Sequence, residues 1–387
     1  MAGKHEPVVQ LLINEVRENE GWLHSFESAV TEAVQQAPDD MQGIQKLEDF
    51  YDFMDNLLRW VPAETADGRE VYRRLCLFYF IFAQPDVYRY QTAISPETAN
   101  QTLSWLSNWL VHYAQELGKF LDTPASLTEE SLNSFKAAES YHMGDYIEPH
   151  GGWKTFNQFF ARNTKPGYRP IANMEDPHTI VSPADSTFAS QWPVNSNAIV
   201  EIKSLEWPIS ELLEDSIYAN NFRGGIFMHS FLAPNDYHRL HAPVGGKVLE
   251  AKVIKGQVYL EVKAENGSLE PIRKIQPVLR KPLPHDEYRI EAPNCAGYQF
   301  CQMRGLFVLE TAIGLVAVLP IGMAQVSSVI LTAEVGRTLA KGEELAYFQF
   351  GGSDIVLVFE GRSHAKITAE EDCHYNMGEA IGTANPS

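Results

Sequence analysis

Hydrophobic positions in the first 150 residues recur at intervals of three and four, the spacing that lines one face of a helix. This periodicity predicts helices over 8–19, 21–36, 41–61, 69–83 and 127–141. A further helix is expected from Ser95-Pro96-Glu97, which offers an N-cap, a proline at the first helical position and an early acid. Behind it Leu103, Leu106, Leu110 and Tyr113 keep helical spacing, and Trp105 and Trp109 widen the apolar face. Ser126 with Glu129 has the form of a capping box for the last segment. The run Leu75–Ala83 falls well short of the roughly 18 apolar residues that span a bilayer, so it reads as a buried helix.

The pattern changes at Gly151-Gly152. Afterwards short β-rich runs alternate with Pro and Gly, predicting strands near 179–182, 198–203, 225–231, 247–253, 257–262, 315–319, 326–331 and 355–359. Such spacing belongs to a mixed or mainly antiparallel sheet rather than to regular βαβ units. The stretch 263–300, with five prolines and many charges, reads as a long surface insertion. The expected fold class is therefore α+β: an all-helical domain over 1–150, then a β-rich domain over 151–387, with the boundary at about 145–155.

Composition narrows the function. The 387 residues are 44% hydrophobic, which excludes wholesale disorder, and their net charge is −19. That charge argues against nucleic acid as a partner and weakens docking on anionic lipid headgroups. Four cysteines without a CxxC pair suit a reducing compartment and give no zinc framework. The first residues lack the apolar run of a signal peptide. A soluble, cytoplasmic protein is expected, with peripheral membrane association only for a lipid substrate.

Three segments carry candidate chemistry. Asp185 follows a strand in Ser182-Pro183-Ala184-Asp185, where a simple turn aspartate is the plain alternative. His238 and His241 lie three apart beside Tyr237 and Arg239; core or surface histidines explain most such pairs. Zinc would need a third ligand, for which His229 or Asp236 serve only speculatively, and no metal is expected. His229 itself reads as a core residue. In Phe350-Gly351-Gly352-Ser353-Asp354 the glycines free the backbone and leave the Gly352 carbonyl open to attack, although a strand-connecting turn is the simpler reading. Together the segments offer an acid, a base and a nucleophile. The chain lacks the Gly-x-Ser-x-Gly elbow of an ordinary hydrolase. Arg162, Lys165 and Arg169 could meet a substrate carboxylate or phosphate, but a solvated basic loop is the better reading.

Four stretches occur in an order and spacing that resemble the phosphatidylserine decarboxylase family over roughly 150–360. They are Phe159-Phe160-Ala161-Arg162 with Lys165-Pro166-Gly167-Tyr168-Arg169-Pro170-Ile171, then Ser182-Pro183-Ala184-Asp185, Tyr237-His238-Arg239-Leu240-His241-Ala242-Pro243 and Gly351-Gly352-Ser353. The helical extension and the Gly-Gly-Ser form look closer to the family's soluble branch, which includes the psilocybin-pathway tryptophan decarboxylase.

The resemblance implies a pyruvoyl cofactor made from Ser353 by self-cleavage after Gly352. Asp185 and His241 would activate Ser353, whose oxygen would convert the peptide bond to an ester; elimination and hydrolysis would leave the pyruvoyl group. The products would be a β chain of residues 1–352 and an α chain of 387 − 352 = 35 residues. A substrate amine would then form a Schiff base and lose CO₂, with His238 returning a proton and His241 as the fallback donor.

A free L-amino acid, tryptophan-like, is the first substrate implied. Phosphatidylserine, giving phosphatidylethanolamine, is the alternative, and a non-cleaving relative without activity is the second. The two chains would stay partnered, and a homodimer would bury the cleaved termini. Gly351 and Asp354 stand where the lipid-acting enzymes usually have leucine and threonine, and Ser186 where they have glycine.

Overall fold

The computed structural model describes residues 5–202, 205–265, 268–271, 297–323, 329–350 and 352–386. Its first part is helical: α1 (Pro7–Glu18), α2 (Glu20–Gln36), α3 (Leu47–Leu58), α4 (Glu70–Phe82), α5 (Pro85–Tyr88), α6 (Trp105–Leu121) and α7 (Glu129–Ala137). The apolar stripes meet in a cluster of rings. Phe50 and Phe82 lie 5.6 Å apart, Phe82 and Trp109 5.7 Å, and Phe78 and Tyr113 4.8 Å. The run Leu75–Ala83 is buried in α4 and its C-cap, as its length requires.

Two expected helix starts are displaced. Ser95 opens only a short 3₁₀ turn, Pro96–Thr98, because the Thr98 hydroxyl turns back to the Ala93 carbonyl and Asn100 enters the left-handed region at φ 60°. The long helix begins instead at Trp105, where Ser104 Oγ accepts from the Ser107 N–H. Likewise α7 is capped by Thr128 with Ser131. Ser126 is used elsewhere: its Oγ donates to the Leu121 carbonyl and accepts from the Phe156 N–H at 2.9 Å. It thereby ties the helical part to α8 (Phe156–Phe160).

The β-rich part is built on an eight-stranded antiparallel sheet. Its order is Thr338–Leu339, Gly246–Ile254, Arg304–Thr311, Gly314–Met323, Gly352–Phe359, Ile226–Leu232, Ser186–Pro193 and His374–Tyr375. The most apolar runs occupy the middle, as strands covered on both faces should. Gly314–Met323 is buried at every position. A three-stranded sheet of Val329–Leu331, Glu344–Phe348 and Arg239–His241 brings the histidine segment alongside. A second three-stranded sheet joins Lys366–Ile367, Ala380–Thr383 and Thr179–Val181.

Several strand expectations needed correction. Ser186–Pro193 and Glu344–Phe348 are strands that polar residues and mixed burial hid from the periodicity, and Arg304–Thr311 is a further unexpected strand although its first six positions are buried. Within 257–262, Gln257 makes only an isolated bridge to Gln302, and the strand starts at Val262. The presumed surface insertion begins with a hairpin of Val262–Glu265 and Ser268–Pro271 that packs on α4, where Arg69 and Tyr72 both bond Glu270. It ends in the buried turn Tyr298–Phe300. Residues 272–296, and 326–328 of the expected strand at 326–331, lie outside the described residues.

Candidate active site

Ser353 sits at the start of the Gly352–Phe359 strand, in register with Gly322 on one side and Leu232 on the other. Gly352 is paired with Met323, while Gly351 lies outside the described residues. The Ser353 hydroxyl is fully buried and makes no hydrogen bond. A buried polar atom without a partner is costly, and on this strand Ser353 Oγ shares that state with Asp354 Oδ1.

His238 is orphaned as well. Both of its ring nitrogens are buried and unbonded. The ring stacks on Phe160 at 3.9 Å, and Phe160 meets Phe350, three residues before Ser353, at 5.6 Å. Its backbone carbonyl accepts from the Phe348 N–H. The histidine segment and the approach to Ser353 are therefore held together by both rings and backbone. Burial pushes the His238 pKa well below the ordinary histidine range, with nearby Arg162 acting in the same direction. His238 therefore favours its uncharged form in the uncut chain.

Asp185 and His241 are brought close by backbone bonds, with the His241 N–H donating to Pro183 and the Val181 N–H to Pro243. Their side chains nevertheless bond other groups. Asp185 is clasped by Arg169, with Nε at 2.8 and 3.0 Å from its two oxygens and Nη2 at 2.6 Å, and it also accepts from the Met377 N–H at 2.8 Å. His241 Nδ1 lies 2.8 Å from the Gly342 carbonyl and Nε2 lies 3.1 Å from the Tyr237 hydroxyl. A carbonyl can only accept, so Nδ1 carries the proton and Nε2 is the basic atom. Asp185 does not fix this tautomer; Gly342 does.

Arg169 is thus a site residue rather than the solvated basic group it resembled in sequence. Arg162 is buried too, bonding the carbonyls of Asn235 and Asp236 and lying 4.2 Å from the Tyr146 ring centre. Lys165 bonds the Gly144 carbonyl at 2.5 Å. His229, read as a core residue, is buried but pairs with Asp354 at 3.1 Å. A cavity of about 890 Å³ is lined by Trp153, Asn157, Arg162, Arg239, Tyr347 and Gln349 among others, and Asp185, His238, His241 and Ser353 are not among its lining residues.

Burial also lowers the His241 pKa. Its Nε2 therefore remains a free base below the usual histidine value of about 6.5. If His241 Nε2 is the base for self-cleavage, the cleavage rate followed by gel after a pH jump should hold from pH 8 to about 6.5 and fall only in more acid solution. Stability should decline over the same acid range. Below about 6.5 the unfolded chain binds protons that the folded histidines refuse.

The family model for phosphatidylserine decarboxylase matches residues 156–383. The chain is 33% identical over 245 residues to phosphatidylserine decarboxylase proenzyme 3 of Schizosaccharomyces pombe, which takes in 63% of this chain and 22% of that much longer protein. It is 30% identical over 280 residues to the phosphatidylserine decarboxylase proenzyme of Fusobacterium nucleatum, covering 72% and 80% of the two chains. With the Ruminiclostridium cellulolyticum proenzyme it shares 28% identity, covering 64% and 73%. Among the described residues no helix is long and apolar enough to cross a membrane. A family match that contains Asp185, both histidines and Ser353 places this chain in the phosphatidylserine decarboxylase family of pyruvoyl-dependent carboxy-lyases.

Proposed function

We propose that this chain cuts itself between Gly352 and Ser353 and then decarboxylates phosphatidylserine to phosphatidylethanolamine. The observation that carries the reading is the buried, unbonded hydroxyl of Ser353 beside a glycine, with histidines gathered on adjoining segments. His241 Nε2 takes the Ser353 proton as Oγ attacks the Gly352 carbonyl. Asp185, held by Arg169, supplies negative charge that favours the imidazolium so formed. The orphaned Ser353 oxygen fits a serine-derived pyruvoyl group, and no metal-binding set is needed. That group supplies a carbonyl electron sink for the departing carboxylate.

His238, whose two ring nitrogens have no hydrogen-bond partner, supplies in this reading the proton that the substrate's α-carbon takes up. His238→Ala should leave cleavage intact and lower CO₂ release by about 100-fold or more, read from intact mass and turnover.

The relatives' names support phosphatidylserine over a free aromatic amino acid. The deciding assay offers phosphatidylserine vesicles and a panel of free amino acids to the purified protein. CO₂ from the vesicles is expected. Release from tryptophan alone would sink the lipid reading, and a chain that stays at 43.5 kDa after long incubation would sink the enzyme.

A further inference from the structure

Asp354 follows Ser353 in sequence but points to the other face of the sheet. It registers with Ile321 and Phe231, one step along from the partners of Ser353, and successive strand residues face opposite ways. On that far face two side chains from other elements hold it. His229, on the neighbouring strand Ile226–Leu232, is in register with Val356, and its Nε2 lies 3.1 Å from Asp354 Oδ2. Tyr298, from the buried turn Tyr298–Phe300, donates its hydroxyl to the same oxygen and sets its ring edge-on to that of His229, with 6.0 Å between centres. The side chains of Asp354 and His229 are 0% and 2% exposed, and Asp354 Oδ1 accepts no hydrogen bond. A buried carboxylate left half-bonded works against folding. None of the three residues lines the cavity.

We propose that Asp354, His229 and Tyr298 form an anchor that positions the carbonyl made from Ser353, holding it from the opposite face of the sheet through the backbone of Asp354. This rests on self-cleavage after Gly352 and adds what keeps the new chain end in place. In the uncut chain residue 353 is fixed by its peptide bond to Gly352 and by its place in the ladder between Gly322 and Leu232. Self-processing weakens both restraints. The bond to Gly352 is cut, and the nitrogen of residue 353 leaves as ammonia while water supplies the oxygen that replaces it. With that nitrogen goes the N–H that an inner-strand residue offers to a neighbouring strand. Asp354 then becomes the first residue of the C-terminal chain with a complete backbone, and its own nitrogen carries residue 353. A strand end that has lost its terminal bonds frays. A side-chain tie on the next residue opposes the fraying, and it does so from behind, leaving the Ser353 face of the sheet clear. The three are positioning residues, acting on residue 353 only through the strand.

Hydrogen–deuterium exchange of the first peptide of the C-terminal chain tests this, measured both in the mature protein and in the uncut Ser353→Ala background. Cleavage of each variant in the otherwise native chain is first checked by intact mass. Tyr298→Phe removes only the hydroxyl. In the mature form it should speed exchange across 354–359 by about fivefold or more, and in the uncut form by no more than about twofold. Turnover of phosphatidylserine vesicles should lose about threefold or more in kcat, with KM within about twofold. Asp354→Ala should give the same pattern more strongly. Asp354→Asn, whose amide oxygen still accepts from Tyr298, should recover most of the wild-type protection. Equal acceleration in the two forms makes the trio an ordinary tie between strands and overturns the proposal, as does unchanged exchange in the mature form. If Tyr298→Phe is not cleaved, His229→Gln carries the same comparison. If neither is cleaved, the trio acts before the cut and the proposal falls. Wild-type protein that stays uncut fails the self-cleavage reading instead, and intact mass reports that before any exchange is measured.

Discussion

Ser353→Ala is expected to leave one uncut chain of 43.5 kDa that releases no CO₂ from any substrate. The loss should be complete rather than graded, because the hydroxyl is both the attacking atom and the source of the carbonyl carbon's chemistry. Folding should not suffer. The hydroxyl has no hydrogen bond to lose, so replacing it with hydrogen removes a buried unsatisfied group and costs about 1 kcal/mol at most. Intact mass, CO₂ release and thermal unfolding read the three parts of this result. A cut after Gly352 in the alanine variant would overturn the nucleophile.

Arg169→Ala should have the largest effect on stability. It leaves the Asp185 carboxylate buried with only the Met377 N–H, and breaking one partner from a buried pair costs about 3–5 kcal/mol. Cleavage should be lost as well, since the loop before Ser186 would no longer hold its acid beside His241. Both readouts are cleanest in separate backgrounds: denaturant midpoint in uncut Ser353→Ala, and cleavage in the otherwise native chain. A stability change under 1 kcal/mol would show that Arg169 does not balance Asp185.

The candidates Asp185, His238, His241 and Ser353 were singled out in sequence by residue type and spacing, with their roles implied only by the family resemblance, and α1, α2, α4 and three of the central strands followed from periodicity. What escaped was partner choice between distant segments. Arg169 looked solvated because the carboxylate it clasps is 16 residues ahead and reaches it only in the folded chain. The acid at 354 stood out only as an unusual neighbour of the serine, since His229 and Tyr298 approach it from other elements. The false helix start at Ser95 has a local cause: the Thr98 hydroxyl offers the backbone a closed turn in place of a helix.

The Gly352–Phe359 strand lies between Gly314–Met323 and Ile226–Leu232, near the middle of the largest sheet. A cut at its first peptide bond therefore leaves the 35-residue fragment (387 − 352) stitched in on both edges. The same fragment brings the Met377 amide to Asp185. Folding is a one-molecule event while the chain is whole, but after the cut it needs two molecules to meet. Denatured mature protein should then regain structure at a rate that depends on concentration, whereas the uncut form refolds independently of it. Cleavage makes the assembly order of the sheet a matter of history.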